Sequence, residues 1–168
     1  MASKTSHLIK QRKTPKDIFI TPIEVAKKQI QLHTINENDI WLDPCRNNEE
    51  GSYYKNFPNN VKKDWCEELE NKDFFKYNEN VNIICCNPPY SILDKWIEKT
   101  LELNPDEFSF LIGIGNLTTR RIEKIENKGY GLLKMKMLKI YKWYGMSVMV
   151  LFKKNTNSII EYDRKVYR

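Results

Sequence analysis

The apolar run Val81-Asn82-Ile83-Ile84-Cys85-Cys86 has strand length, and Asn87-Pro88-Pro89-Tyr90 ends it. Two prolines cannot continue a sheet ladder, because they lack the amide donor and hold φ fixed. Ser91-Ile92-Leu93-Asp94-Lys95-Trp96-Ile97 follows and reads as a helix start. Strand, rigid turn and helix in that order place the tetrapeptide at the carboxyl edge of an α/β sheet, the edge at which ligands bind. There an amide side chain, a proline carbonyl and an aromatic ring can together hold a flat, amino-bearing substrate. A plain proline turn is the competing reading of the tetrapeptide alone. The rest of the chain decides between them.

Thr21-Pro22-Ile23-Glu24 has the form of a capping box with proline at the first helical position, and predicts a helix over 22–33. Asp39-Ile40-Trp41-Leu42-Asp43-Pro44 reads as a short buried strand ending in an acidic turn. A loop with room for a short helix passes through Tyr53 and Phe57. A second strand is expected at Val61–Cys66, before Glu67 and Glu68, and the connection at Asp73-Phe74-Phe75 has room for a third. Ser91 and Asp94 form a second capping box. Phe108–Ile114 reads as another buried strand, and a helix is expected from Arg120 to Asn127 with Gly129 as its C-cap. Leu132–Lys142 and Ser147–Lys153 make a terminal β-hairpin around Trp143-Tyr144-Gly145-Met146. Alternation followed by a hairpin implies a mostly parallel sheet with one antiparallel strand.

The 168 residues suit one domain with a real core, and 40% hydrophobic and 12% aromatic content is that of a folded chain. No apolar run approaches the roughly 20 residues that cross a bilayer, and no apolar segment follows the basic N-terminus, so neither a membrane span nor a signal peptide is expected. The net charge of +6 is uneven: Lys4, Lys10, Arg12, Lys13 and Lys16 all precede the first acid, Asp17. Residues 1–16 form a basic arm that suits phosphate contacts or a solvated tail. Cys45, Cys66, Cys85 and Cys86 lack metal spacing, and adjacent strand residues face opposite ways, so all four are expected as reduced thiols in a cytoplasmic protein, without zinc.

In this order the parts resemble the Rossmann-like class I fold of S-adenosylmethionine-dependent methyltransferases. More closely, they resemble the adenine-N6 DNA methyltransferases of phages and restriction systems. The residues that carry the resemblance are Asp17-Ile18-Phe19-Ile20-Thr21-Pro22, Leu42-Asp43-Pro44-Cys45, Asp64-Trp65-Cys66-Glu67, Asp73-Phe74-Phe75, the NPPY turn with Ser91, and the Trp143-Tyr144-Gly145 hairpin. The resemblance implies a single methyltransferase-like domain over 17–168, S-adenosylmethionine as cofactor and adenine in DNA as substrate. Asn87 and the Pro88 carbonyl would accept hydrogen bonds from the target amine, within the Asn87, Pro88, Pro89 and Tyr90 turn, and Tyr90 would stack on the base. Two acceptors draw the amine nitrogen towards tetrahedral geometry and stabilise the charge that grows on it, without a strong base. A duplex target would have to be flipped.

For the cofactor, Glu67 would hold the ribose hydroxyls, with Glu68 as the alternative. Asp73 would take the adenine amino group and Phe74 pack on the ring, one of Phe74 and Phe75 being ordinary core. Asp43 and Pro44 open the first motif, and Thr21 either caps its helix or touches the cofactor. The family form of that motif is acidic-Pro-x-x-Gly-x-Gly, whereas this chain places Asn47 and Glu49 at the glycine positions. Asn47 can take a positive φ; Glu49 adds a Cβ and a charge, and Gly51 serves only if the loop is re-registered.

With no inserted recognition segment, nucleic-acid contacts fall to Arg120 and Arg121 beside the turn, Lys142 with Trp143, and the arm. Recognition would then rest on phosphates or on a partner protein. The same turn serves methylation of RNA or of a protein glutamine, and the altered glycine loop leaves open an inert methyltransferase-like fold that binds nucleic acid.

Overall fold

The computed structural model describes residues 20–47, 51–139 and 146–163. Its elements are α1 (Ile23–Ile30), β1 (Ile40–Asp43), β2 (Lys62–Trp65), β3 (Ile83–Cys86), α2 (Leu93–Leu103), β4 (Glu107–Gly113), α3 (Thr119–Glu126), β5 (Tyr130–Leu138) and β6 (Ser147–Lys154). The strands form one sheet in the order β2-β1-β3-β4-β6-β5. Strands β1 to β4 run parallel, and β6 lies antiparallel to both β4 and β5. This is the mostly parallel sheet with a terminal antiparallel hairpin that the alternation predicts. Because β2 and β3 flank β1 on opposite sides, the chain reverses its order between β1 and β3. Ligands of open α/β sheets bind beside such a point.

Strand period two sorts the core. Ile84 and Cys86 point towards α2 and α3, into a cluster with Trp96, Ile97, Phe108 and Phe110. Ile83 and Cys85 point the other way, towards α1, with Ala26, Ile30, Trp41 and Phe57. Adjacent Cys85 and Cys86 thus belong to different layers, and all four cysteines are free thiols. Ile84 is fully buried, and burial of such a side chain contributes about 1.5–3 kcal/mol.

Several local expectations are corrected. Helix α1 starts at Ile23 and stops at Ile30; Pro22 occupies the cap with no side-chain cap bond, so Thr21 is not a capping residue. Ser91 does not cap α2 either: Tyr90–Ile92 form a 3-10 turn and α2 begins at Leu93. The fixed φ of Pro89, −65°, leads into that tight turn before the helix widens. At Phe74–Lys76 there is a 3-10 turn rather than a strand, capped by the Asp73 side chain. The C-cap of α3 is Asn127, and Gly129 lies two residues beyond it with φ +84°. The hairpin's Gly145, like the basic arm and Glu49, lies outside the described residues.

Candidate active site at the sheet switch point

Asp43 closes β1 and Asn87 follows β3, so the reversal of strand order sets them side by side at the carboxyl edge. Both line one cavity with Ile20, Thr21, Cys45 and Arg46. Asp43 is only 1% exposed. Its Oδ1 accepts from the Cys45 amide at 3.3 Å and its Oδ2 from the Tyr54 amide at 3.1 Å. Burial pushes its carboxyl up to about 7, against the pull of those two amides. It therefore ties the β1 turn to the segment that follows. Pro44 is buried behind it.

Asn47 has φ +70°, the left-handed conformation that lets asparagine stand where a glycine would. Gly51 is required for space: a Cβ there would meet the Arg46 carbonyl at 2.9 Å and its Cγ at 2.5 Å. Gly51 thus packs directly against Arg46, and the cavity that both line holds about 10 Å³, room for about one water.

The NPPY turn is pinned from several sides. The Cys45 thiol donates to the Asn87 carbonyl at 3.3 Å. Gln29 Nε2 donates to the Cys86 carbonyl at 3.0 Å. Asn87 Nδ2 donates to Thr21 Oγ1 at 3.3 Å, and the Ser52 hydroxyl donates to the Thr21 carbonyl. Asn87 Oδ1, in contrast, is buried and has no hydrogen-bond partner. An acceptor in that state costs about 1–3 kcal/mol, a standing penalty that a substrate donor would remove. Pro88 is buried; Pro89 and Tyr90 are half-buried, and the Tyr90 ring packs against the main core.

The other predicted residues spread along the same edge. Glu67 follows β2, half-buried, and accepts from the Leu69 amide at 3.1 Å; Glu68 is exposed. Asp73 accepts from the Phe75 amide at 2.9 Å. Phe74 is core, 4.5 Å from the Trp96 ring centroid, while Phe75 is 40% exposed. Arg121 is held by Asp94 and by the Asn116 carbonyl, each at 2.8 Å, whereas Arg120 is exposed. Lys142 and Trp143 lie outside the described residues. Gln29, His33, Tyr53, Glu107 and Ser109 carry no signal in the sequence, since they stand far apart in the chain and follow no spacing. Cys45 and Arg46 gain their roles only from the fold, although they follow Asp43 and Pro44 directly. Among the described residues no group of three His, Cys, Asp or Glu side chains could hold a metal ion, and no helix is long and apolar enough to cross a membrane.

The same architecture occurs in solved structures of low sequence identity. A protein of Pyrococcus horikoshii assigned as an RNA methyltransferase matches with a TM-score of 0.59 and 15% identity, over 89% of this chain and 96% of that one. The fold is that of the Rossmann-like methyltransferases. Phosphoethanolamine N-methyltransferase 2 of Haemonchus contortus, in complex with S-adenosyl-L-methionine, gives 0.57 at 13% identity, over 88% of this chain and 42% of that one. A complex of E. cuniculi responsible for methylating a translation termination factor gives 0.54 at 13% identity, over 83% and 99%. No protein-family model and no curated protein matches the sequence.

Proposed function

We propose that this methyltransferase fold transfers a methyl group from S-adenosylmethionine to the exocyclic N6 amine of adenine in DNA. The observation that carries the reading is the buried, unpartnered Oδ1 of Asn87 at the carboxyl end of β3. Beside it the Pro88 carbonyl offers a second acceptor, and together they would hold an amine and stabilise the positive charge that develops on it. Tyr90 supplies the aromatic face. The cofactor contributes an electrophilic methyl group. The residues present fit it in chemistry: Glu67 for the ribose hydroxyls, with Asp43 and Asn47 near the methionine end. They fit it in volume only when Arg46 vacates the cavity. The complex of the Haemonchus contortus enzyme with S-adenosyl-L-methionine supports this choice of cofactor.

Calorimetric titration with S-adenosylmethionine, followed by transfer of labelled methyl to single-stranded DNA, duplex DNA, RNA and a glutamine-containing peptide, tests the proposal. Label on adenine N6 of DNA, abolished by Asn87→Ala with cofactor binding retained, is the expected result. The Pyrococcus horikoshii and E. cuniculi structures give RNA and protein glutamine their place in the panel. Label confined to either would overturn the DNA assignment, and no binding at millimolar cofactor would identify an inert fold.

A further inference from the structure

A line of buried polar side chains crosses the sheet from the candidate site to its far end. Asn87 Nδ2 donates to Thr21 Oγ1 at 3.3 Å. Thr21 and Tyr53 line the same cavity, and a hydrogen bond donated by the Thr21 hydroxyl lowers the Tyr53 phenol against the upward push of burial. Tyr53 donates to Gln29 Oε1 at 2.7 Å. Gln29 Nε2 donates to Ser109 Oγ at 3.0 Å, and Ser109 Oγ lies 2.7 Å from His33 Nε2. His33 Nδ1 lies 3.1 Å from Glu107 Oε2.

The direction of every one of these bonds follows from its two ends. Glu107 is ionised: burial alone would raise its carboxyl, but hydrogen bonds from His33 and Lys153 outweigh it and hold it at about 2. An ionised carboxylate only accepts, so His33 donates from Nδ1. Burial keeps His33 below its ordinary value, hence neutral at pH 7, and its Nε2 is then an acceptor. Ser109 has one proton, and Nε2 at 2.7 Å is nearer and stronger than Cys85 Sγ at 3.3 Å. Gln29 has both N–H groups committed, one to Ser109 and one to the Cys86 carbonyl. Its oxygen must therefore accept the Tyr53 proton. The phenol oxygen is left to accept from Thr21, and Thr21 Oγ1 to accept from Asn87.

We propose that this chain, anchored on the Glu107 carboxylate, orients the Asn87 amide so that Oδ1 and not Nδ2 faces the substrate. Thr21, Tyr53 and Gln29 are thus positioning residues. The inference rests on Asn87 being the acceptor for the substrate amine. An amide turned over would present a donor to a donor, and hydrogen bonds aligned head to tail strengthen one another. This gives Thr21 a role other than cofactor contact.

The test compares Thr21→Val, Thr21→Ser and Tyr53→Phe with the wild type. Thr21→Val and Tyr53→Phe should lower kcat about 10²-fold at saturating cofactor, with the cofactor Kd changed less than about twofold, as expected when geometry and not binding is lost. Thr21→Ser, which keeps the hydroxyl, should restore most of kcat. Nitrogen-15 labelling of asparagine gives a readout that needs no turnover. The Asn87 side-chain amide resonance should move in Thr21→Val and in Tyr53→Phe but not in Thr21→Ser. An amide resonance unmoved in Thr21→Val, or a raised cofactor Kd with kcat intact, overturns the proposal. A wild type without turnover removes the proposed function alone, and the resonance then decides on the chain by itself.

Discussion

The Arg46 guanidinium carbon lies 3.7 Å from the ring centroid of Trp65, and its Nη2 bonds Glu70. The Arg46 side chain thereby runs from Gly51 towards the end of β2, along the edge where the cofactor is proposed to sit. Its Nε is buried without a partner. Entry of a cofactor requires this side chain to leave the ring and the carboxylate, together worth about 1–2 kcal/mol. Arg46→Ala should therefore tighten S-adenosylmethionine binding about five- to thirtyfold in a calorimetric titration. Weaker binding would mean that Arg46 holds the cofactor.

Asn47 provides a second check on the same loop. At φ +70° an asparagine is tolerated, a glycine is at ease and an alanine is strained. Asn47→Gly should leave the melting temperature nearly unchanged, while Asn47→Ala should cost about 1 kcal/mol. Equal effects of the two substitutions would show that the side chain and not the backbone angle matters.

Glu107 gives stability a defined pH window. Its carboxyl titrates at about 2, below its ordinary value of 4.5, so its contribution is full above 4.5 and is lost as pH falls towards 2. The span corresponds to about 3 kcal/mol. His33, held below 6.5 by burial, adds a loss as pH falls below 6.5, whereas Asp43, raised to about 7, acts in the opposite sense by stabilising the protein as pH falls from 7 towards 4. Comparison with Glu107→Gln isolates the first effect. The gap in melting temperature between wild type and variant should be large at pH 6, less than half as large at pH 3 and nearly closed only near pH 2. A gap independent of pH would show that Glu107 is not ionised in the folded protein.

The legibility of the fold in the sequence varies from residue to residue. The apolar run at Ile83–Cys86, stopped by two prolines, has only one way to sit in a sheet, and Asp43 before Pro44 repeats the device on the neighbouring strand. Period two likewise sends Cys85 and Cys86 into different layers. Caps were less legible. Thr21-Pro22-Ile23-Glu24 has the composition of a capping box, but the Thr21 hydroxyl is bonded to Asn87, 66 residues away, and local pattern cannot register that competition. The chain from Gln29 to Glu107 was invisible for the same reason: His33 and Ser109 meet across 76 residues, and neither has a telling neighbour in sequence. Asn47 is the intermediate case, where a residue type with a known tolerance of positive φ pointed to the backbone angle found.

The two arginines at the start of α3 should separate in function although they are adjacent. Arg121 Nε donates to Asp94 at 2.8 Å, Nη2 to the same carboxylate at 3.3 Å, and Nη1 to the Asn116 carbonyl at 2.8 Å. The bidentate bond from Arg121 holds the Asp94 carboxyl below its ordinary value. Arg121 thus joins α2 to α3 and has little left to offer a phosphate. Arg120 is exposed beside it. On the DNA reading, with no described segment inserted to reach base edges, affinity would rest on phosphates and fall with salt on any sequence. Arg120→Ala should then weaken binding uniformly across sequences and reduce the salt slope by about 1, with the melting temperature unchanged. Arg121→Ala should instead lower the melting temperature, most clearly above pH 4 where Asp94 is ionised, with little effect on binding. Fluorescence anisotropy over a salt series on several duplexes measures the first, and thermal scans at pH 3 and 7 the second. Tight binding to one short sequence with others ignored would contradict the phosphate account, and a melting temperature indifferent to Arg121→Ala would contradict the structural one.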